Sequence, residues 1–301
     1  MTKPTTAEGY ENKVTENCER VLVTLIRGLG PWRDSIFLIG GLTPRYLIAK
    51  RPPDVPAHAG TGDVDVVIQL HMLADTEAYH TLEDNFKKQG FARGTNNQGK
   101  PVSWRWEAKA DSGTKIILEL LADDPEKSGG KVMVLPTDGN VSALNLPHSS
   151  IVFDHHESME ITAELLGDNG VATVTLHYAD LVAFTSLKAY AVDQRDERKD
   201  AHDLVYCLAH CEGGIDAAAK QFRAALEGKH KEVVSVVLGL LARHFVDDEK
   251  TEGYLKSGPV AVAKFEIGEE AESRDSRILR QREVADLVSR LLKAIGRKVC
   301  P

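Results

Sequence analysis

The stretch Thr61-Gly62-Asp63-Val64-Asp65-Val66-Val67-Ile68 constrains this chain more than any other. An Asp-x-Asp pair leading into a β-branched apolar run predicts a strand, and alternate residues of a strand share a face. Both carboxylates then lie on one side while Val64 points to the other. Two acids at the end of a rigid strand supply hard oxygen ligands for a divalent cation. A third acid from a neighbouring strand would complete a Mg²⁺ site able to clamp nucleotide phosphates. Taken alone, Asp-x-Asp more often marks a solvated strand edge, so the neighbouring elements have to decide.

Upstream, Ser35-Ile36-Phe37-Leu38-Ile39 predicts a short buried strand running into Gly40-Gly41. Leu42 to Ile48 then predicts a helix, with Thr43 as cap and Pro44 at the first helical position. A strand, a glycine pair and a helix start bring backbone N–H groups near one point, which suits a triphosphate, although an ordinary tight turn has the same pattern. The loop Arg51 to Gly62 holds Pro52, Pro53, Pro56 and Gly60, so it is neither helix nor strand. Asp75 is positioned to cap a helix carrying Ala78, Tyr79, Leu82 and Phe86. Beyond it, Val102 to Trp106 and Lys115 to Leu121 predict two strands joined by a turn at Asp111-Ser112-Gly113. Glu119 sits inside the second run, where a charge is costly unless it is paired or bound to a cation. It is the candidate third metal carboxylate; the alternatives are an exposed strand face or a pair with Lys115, and Asp123 and Asp124 are weaker candidates.

The rest of the chain sets the organisation. Val14, Cys18, Val21, Leu22, Leu25 and Ile26 recur at helical spacing, and strands around 158–165 and 171–176 flank the hairpin signal Asn169-Gly170. From Tyr178 onward the pattern turns helical. Lys188 falls among apolar residues, where an ammonium must snorkel or meet an anion, while Asp200 and Asp203 share one face of the next helix. The run Val233 to Leu241 predicts a helix buried all round, and Val284 to Ile295 carries an apolar stripe. These elements give an α+β chain, with an α/β domain over 1–176 and a helical domain over 177–301. Around the last stripe, Arg277, Arg280 and Arg290 alternate with Glu283 and Asp286, the pattern of a solvated helix face more than of an RNA-binding one.

Composition excludes several classes. A formal charge of −8 repels polyanions, so any nucleic-acid contact needs a local basic patch. The four cysteines have no repeated paired spacing, which predicts reduced thiols, and Cys207 and Cys211 beside His210 fit core packing better than metal binding. Asp154-His155-His156-Glu157 invites a metal reading, but adjacent strand residues point to opposite faces. Met1 to Thr5 lacks an apolar signal core and no apolar run approaches membrane-spanning length, so the expectation is a cytoplasmic protein with no membrane partner.

Three elements in order, a strand ending in Gly40-Gly41, Asp63-x-Asp65 leading a strand, and a strand bearing Glu119, resemble the nucleotidyltransferase superfamily of the DNA polymerase β type. Leu187-Lys188-Ala189 followed by Arg195, Lys199-Asp200 and Asp203-Leu204 is similar to the signature of AbiEii-type toxins, including the mycobacterial tRNA-modifying toxins. The similarity covers about residues 36 to 206. It departs from the family pattern where Leu42 intervenes between the glycine pair and Thr43, and in a longer link from Gly41 to Asp63.

The resemblance implies a polymerase β-like mixed sheet followed by a helical domain that completes the active-site cleft. It implies Mg²⁺-dependent transfer of NMP from an NTP to an acceptor, tRNA in the toxin-like members, in a toxin paired with a separately encoded antitoxin. Asp63, Asp65 and Glu119 would form the metal site, and Gly40, Gly41 and Thr43 would hold the phosphates. Lys188 would neutralise charge on them, and Asp203 would orient Lys188 or contact the acceptor. The alternatives are a small-molecule or protein nucleotidyltransferase, favoured by the acidic charge, and a catalytically inert nucleotide-binding interaction protein.

Overall fold

A computed structural model describes residues 4–70, 72, 81–96, 98–110, 113–136 and 140–296. Among them, nine α-helices have described bounds and nine strands form one mixed sheet, an α+β architecture. The chain divides into two compact units, each discontinuous in sequence. A sheet unit takes Glu11–Thr43 and Gly60–Asp180, and a helical unit takes the residues up to Tyr10, Pro44–Ala59 and the chain from Leu181 onward. Helix α1 (Asn12–Leu29) belongs to the first unit, the short α2 (Pro44–Leu47) to the second, and α3 (Leu82–Lys88) to the first again.

The sheet unit is built on strands β1 (Ile36–Ile39), β2 (Asp63–Ile68), β3 (Ala92–Thr95), β4 (Pro101–Lys109), β5 (Lys115–Ala122), β6 (Val132–Val134), β7 (Ser142–Asn145), β8 (His156–Glu164) and β9 (Val171–Ala179). Their order is β3-β4-β5-β2-β1-β9-β8, with β7 pairing β5 and β6. The β2/β5 and β1/β9 pairs are parallel, while β1/β2, β4/β5 and β8/β9 are antiparallel. Central strands read as continuous apolar runs because both faces are covered, and all of β1 is buried. Leu25 and Leu29 of α1, Phe86 of α3, Val66 and Ile68 of β2 and Leu120 of β5 surround one small interior cavity. Burying each such side chain stabilises the fold by about 1.5–3 kcal/mol, so this cluster fixes the α1 stripe against β2.

Local chemistry sets the element ends. Thr81 caps α3, its hydroxyl accepting from Asp84 N at 3.1 Å; Asp75, Ala78 and Tyr79, expected in that helix, lie outside the described residues, as do Asp111 and Ser112 of the expected turn. The β8/β9 hairpin turns through Gly167 and Gly170, both at positive φ, and Leu165 N donates to Gly170 O at 2.8 Å. Thr43 does not cap α2: its hydroxyl is buried without a hydrogen-bond partner among the described residues, while its N–H closes a turn onto Gly40 O at 3.2 Å.

The helical unit contains α4 (Leu181–Gln194), α5 (Arg198–His210), α6 (Gly214–Leu226), α7 (Lys231–Phe245), α8 (Ser257–Ile267) and α9 (Arg274–Ile295). Helix α5 packs on α4 and α8, and α9 packs on α6, α7 and α8. The run expected to be buried all round is α7, and it is not: Val234, Val237, Leu238, Leu241 and Phe245 form its buried stripe while Val236 is exposed. The 3.6-residue period imposes that stripe, and the weak helix propensity of valine costs less than burying the stripe returns. Among the described residues no helix is long and apolar enough to cross a membrane.

Candidate functional site

In the sheet unit, Asp63 and Asp65 open β2 and are half-buried. The parallel register pairs Asp63 with Ile117 and Asp65 with Glu119, and the antiparallel β4/β5 register pairs Glu119 with Arg105. Registered partners point to the same side of a sheet, so Asp63, Asp65, Glu119 and Arg105 share one face. Arg105 bonds Glu119 Oε1 through Nε at 2.9 Å and Nη2 at 2.6 Å, and its guanidinium lies 4.8 Å from the Trp104 ring centre. The pair with Lys115 does not form; Lys115 bonds Glu107 at 2.6 Å. Four residues along a strand span about 13 Å, so Glu119 takes its cation from across the ladder.

Two contacts fix the acids. The Thr61 hydroxyl donates to Asp63 Oδ1 at 2.6 Å, and Thr61 N donates to the Thr15 hydroxyl of α1 at 3.0 Å. On the other side, Ile39 is in register with Asp65, and Gly40 follows at φ +74°. A side-chain carbon on Gly40 would collide with Asp65 Oδ2, so only glycine admits both this turn and this carboxylate. Asp123 and Asp124 are engaged elsewhere, the first accepting from Ser150 N and Oγ, the second paired with Lys127.

The structure thus sets Asp65 of β2 between Glu119 of β5 and the Gly40 turn that follows β1, but it does not draw Asp63, Asp65 and Glu119 into one tight ligand cage. Among the described residues, the group of metal-capable side chains whose ligand atoms all lie within 4.8 Å of one another is His58, His202 and Asp203, in the helical unit.

There, Lys188 of α4 is 7% exposed, and its Nζ bonds Asp200 Oδ1 at 2.8 Å and Asp203 Oδ2 at 2.6 Å. The i, i+3 spacing of the two aspartates puts both on the face of α5 that meets Lys188. Arg195 forks onto Asp200 at 2.7 and 3.0 Å, and Lys199 bonds both oxygens of Asp203 at 2.8 Å. Burial pushes both carboxyls up, but Lys188 with Arg195 at Asp200, and Lys188 with Lys199 at Asp203, outweigh it and hold both below the usual carboxylate range. Burial pulls Lys188 down, and its two aspartates more than restore it.

Sequence reasoning missed His58, His202 and Glu266, and quoted Lys199 in the motif without giving it a role. His58 Nε2 lies 2.9 Å from Asp203 Oδ1; burial lowers His58 to about 4 despite that bond, so the ring is neutral and donates to the anionic carboxylate. Its loop is held by Tyr206, whose hydroxyl donates to Pro56 O at 2.9 Å. The His202 ring stacks on His58 with centroids 5.5 Å apart, and its Nδ1 lies 2.9 Å from Glu266 Oε1. Glu266, pushed up by burial, is brought down to about 2 by His202 and by Arg280, which bonds it at 2.6 and 3.1 Å. His202 Nε2 is buried without a hydrogen-bond partner among the described residues. The available signal was the Lys199-x-x-His202-Asp203 spacing and a histidine on a proline-stiffened loop.

The sequence motifs set aside earlier stay set aside. His155 bonds Asp180 at 3.2 Å while His156 packs its ring against Phe37 and His177, so the two histidines share nothing. Cys18 and Cys207 are buried thiols, both pushed up by burial. Compared with known proteins, the chain matches no protein-family model and no curated protein.

Proposed function

We propose that this chain is a Mg²⁺-dependent nucleotidyltransferase of the polymerase β type, moving NMP from an NTP onto a tRNA hydroxyl and releasing pyrophosphate, as a toxin held in check by an antitoxin protein. The observation that carries the reading is the register of Asp65 with Glu119, with the Gly40 turn closed against Asp65. The donor set at the head of β2 is all carboxylate oxygen, which fits Mg²⁺. When bound, Mg²⁺ supplies charge neutralisation and polarisation of the phosphoryl oxygens. Asp63 and Asp65 would hold it, with the Thr61 hydroxyl orienting Asp63. Glu119, paired with Arg105, would complete the site by exchanging that partner for the ion. Gly40 and Gly41 would offer backbone N–H groups to phosphate oxygens, and Thr43 its hydroxyl, since its own N–H is taken by Gly40 O. Lys188 as the phosphate-neutralising cation and Asp203 as its orienter enter this reading through the motif resemblance.

Incubation with labelled NTPs, Mg²⁺ and total RNA tests it: label should pass to tRNA and fail to pass in Asp65→Asn. One observation favours a second reading, an inert nucleotide-binding interaction protein. The two-pronged Arg105–Glu119 pair spends the third carboxylate on an internal ion pair. Binding of NTP without transfer to RNA, protein or small molecule would select it, while label on a protein or small molecule would reassign the acceptor.

A further inference from the structure

We propose that His58, His202 and Asp203 form a binding site for a divalent transition cation of the Zn²⁺ class, separate from the Mg²⁺ assigned to β2. Three observations point to it. The ligand atoms of all three residues already lie within 4.8 Å of one another, and His58 Nε2 and Asp203 Oδ1 touch at 2.9 Å. His202 is 5% exposed, and its Nε2 is buried with no hydrogen-bond partner among the described residues. Its other nitrogen, Nδ1, lies 2.9 Å from Glu266 Oε1, which Arg280 braces, and a proton held there leaves Nε2 as the nitrogen that turns to the cation. A carboxylate behind a histidine, setting tautomer and ring orientation, is the usual outer shell of a histidine metal ligand. Two imidazoles and one carboxylate select Zn²⁺-type ions over Mg²⁺, which takes oxygen donors.

The bonds rearrange in a defined way. Asp203 Oδ1 now accepts from His58 and Lys199, and Oδ2 from Lys188 and Lys199. On binding, the proton on His58 Nε2 moves to its other ring nitrogen. Lys199 gives up Oδ1, whereas Lys188 keeps Asp200 and Oδ2. The ammonium of Lys199 is therefore the cation's competitor. The site predicts opposite signs for its neighbours: removing a histidine weakens binding, and removing Lys199 strengthens it.

Titration of the chelator-stripped full chain with ZnCl₂, with MgCl₂ in parallel, decides the matter. The expected result is one Zn²⁺ per chain and no Mg²⁺ at this site. Affinity should fall at least about tenfold in His58→Asn and His202→Asn, fall about tenfold in Glu266→Gln and rise severalfold in Lys199→Met. No Zn²⁺ binding by the parent, or an affinity unchanged in both histidine variants, overturns the proposal. Should those variants fail to fold, Lys199→Met and the visible spectrum of Co²⁺ added to the parent decide. Tighter binding with ligand-field bands supports the site, and their absence overturns it. The readout is metal occupancy, so it stands or falls apart from nucleotidyl transfer.

Discussion

The charges of α4 and α5 and the charges of β2 and β5 solve different problems. Between the helices, Lys188, Arg195 and Lys199 meet Asp200 and Asp203, which are 2% and 0% exposed. Burial this deep makes an uncompensated charge untenable, so cations and anions there answer one another. On the sheet, three carboxylates and Arg105 share a face and stay half-buried, where water carries part of the cost. Charge of the first kind organises packing; charge of the second kind can be presented to a ligand. Each region should therefore fail in its own way when cut.

The largest effect is expected at β2. Asp65→Asn should lower label transfer by at least about 10³-fold, because under the proposed function it removes a metal ligand aimed at charge developing in the transition state. Thermal unfolding should shift little, since the substitution keeps the shape beside Gly40. Parental transfer, or collapse of the fold, would break the distinction between the regions. Lys188→Ala should lower transfer as well, and add a loss of stability that Asp65→Asn lacks. It takes one cation from two buried carboxylates, leaving Arg195 on Asp200 and Lys199 on Asp203, and should cost about 2–3 kcal/mol in denaturant unfolding. A cost below about 1 kcal/mol would mean that the network is wetter than its burial says.

How much of this was legible follows from the range of each interaction. β2 and the β1–Gly40 turn are legible because a β-branched run and a glycine pair are local signals. The face shared by Asp200 and Asp203 follows from helical spacing alone. The partner of Glu119 was not legible, because it depends on the β4/β5 register, which places Arg105 opposite it while Lys115 falls opposite Lys109. His58 is harder still: it sits on a loop with no periodicity, and its partner Asp203 is 145 residues away. The helix α7 erred in the other direction, since a run of valines reports apolar content without saying which third of the helix faces solvent.

Glu83 sharpens the comparison, because it is a compensated carboxylate inside the sheet unit. On α3, it accepts from Lys87 at 2.8 Å, Arg93 at 2.9 Å and Asn140 N at 3.0 Å. The Lys87 bond, then the Asn140 and Arg93 bonds, lower it from 4.5 to about 2. A folded pKa below the unfolded one contributes stability in full above about pH 4.5, and that stability is lost as pH falls through about 2. Allowing for solvent screening, the acid loss should be roughly 1–2 kcal/mol, and Glu83→Gln should flatten that limb of an unfolding-versus-pH series. An unchanged acid limb would show that compensation in this protein carries stability only between the helices.

The smallest effect belongs to α9, whose arginines look alike in sequence and differ in surroundings. Arg280 reaches the half-buried Glu266, and Arg277 donates to the carbonyls of Gly268 and Glu270. Arg290 pairs with Asp286 at 2.9 Å where both side chains are largely exposed. An exposed i, i+4 pair contributes little, so Arg290→Glu should shift unfolding by less than about 0.5 kcal/mol. It should also leave unchanged the salt dependence of RNA binding that the proposed function calls for, because a helix face whose cations already answer its own acids releases no counterions from phosphate. A salt slope lowered by about one would count Arg290 among the phosphate contacts. Its charge would then belong with that of β2, presented to a ligand instead of spent on packing.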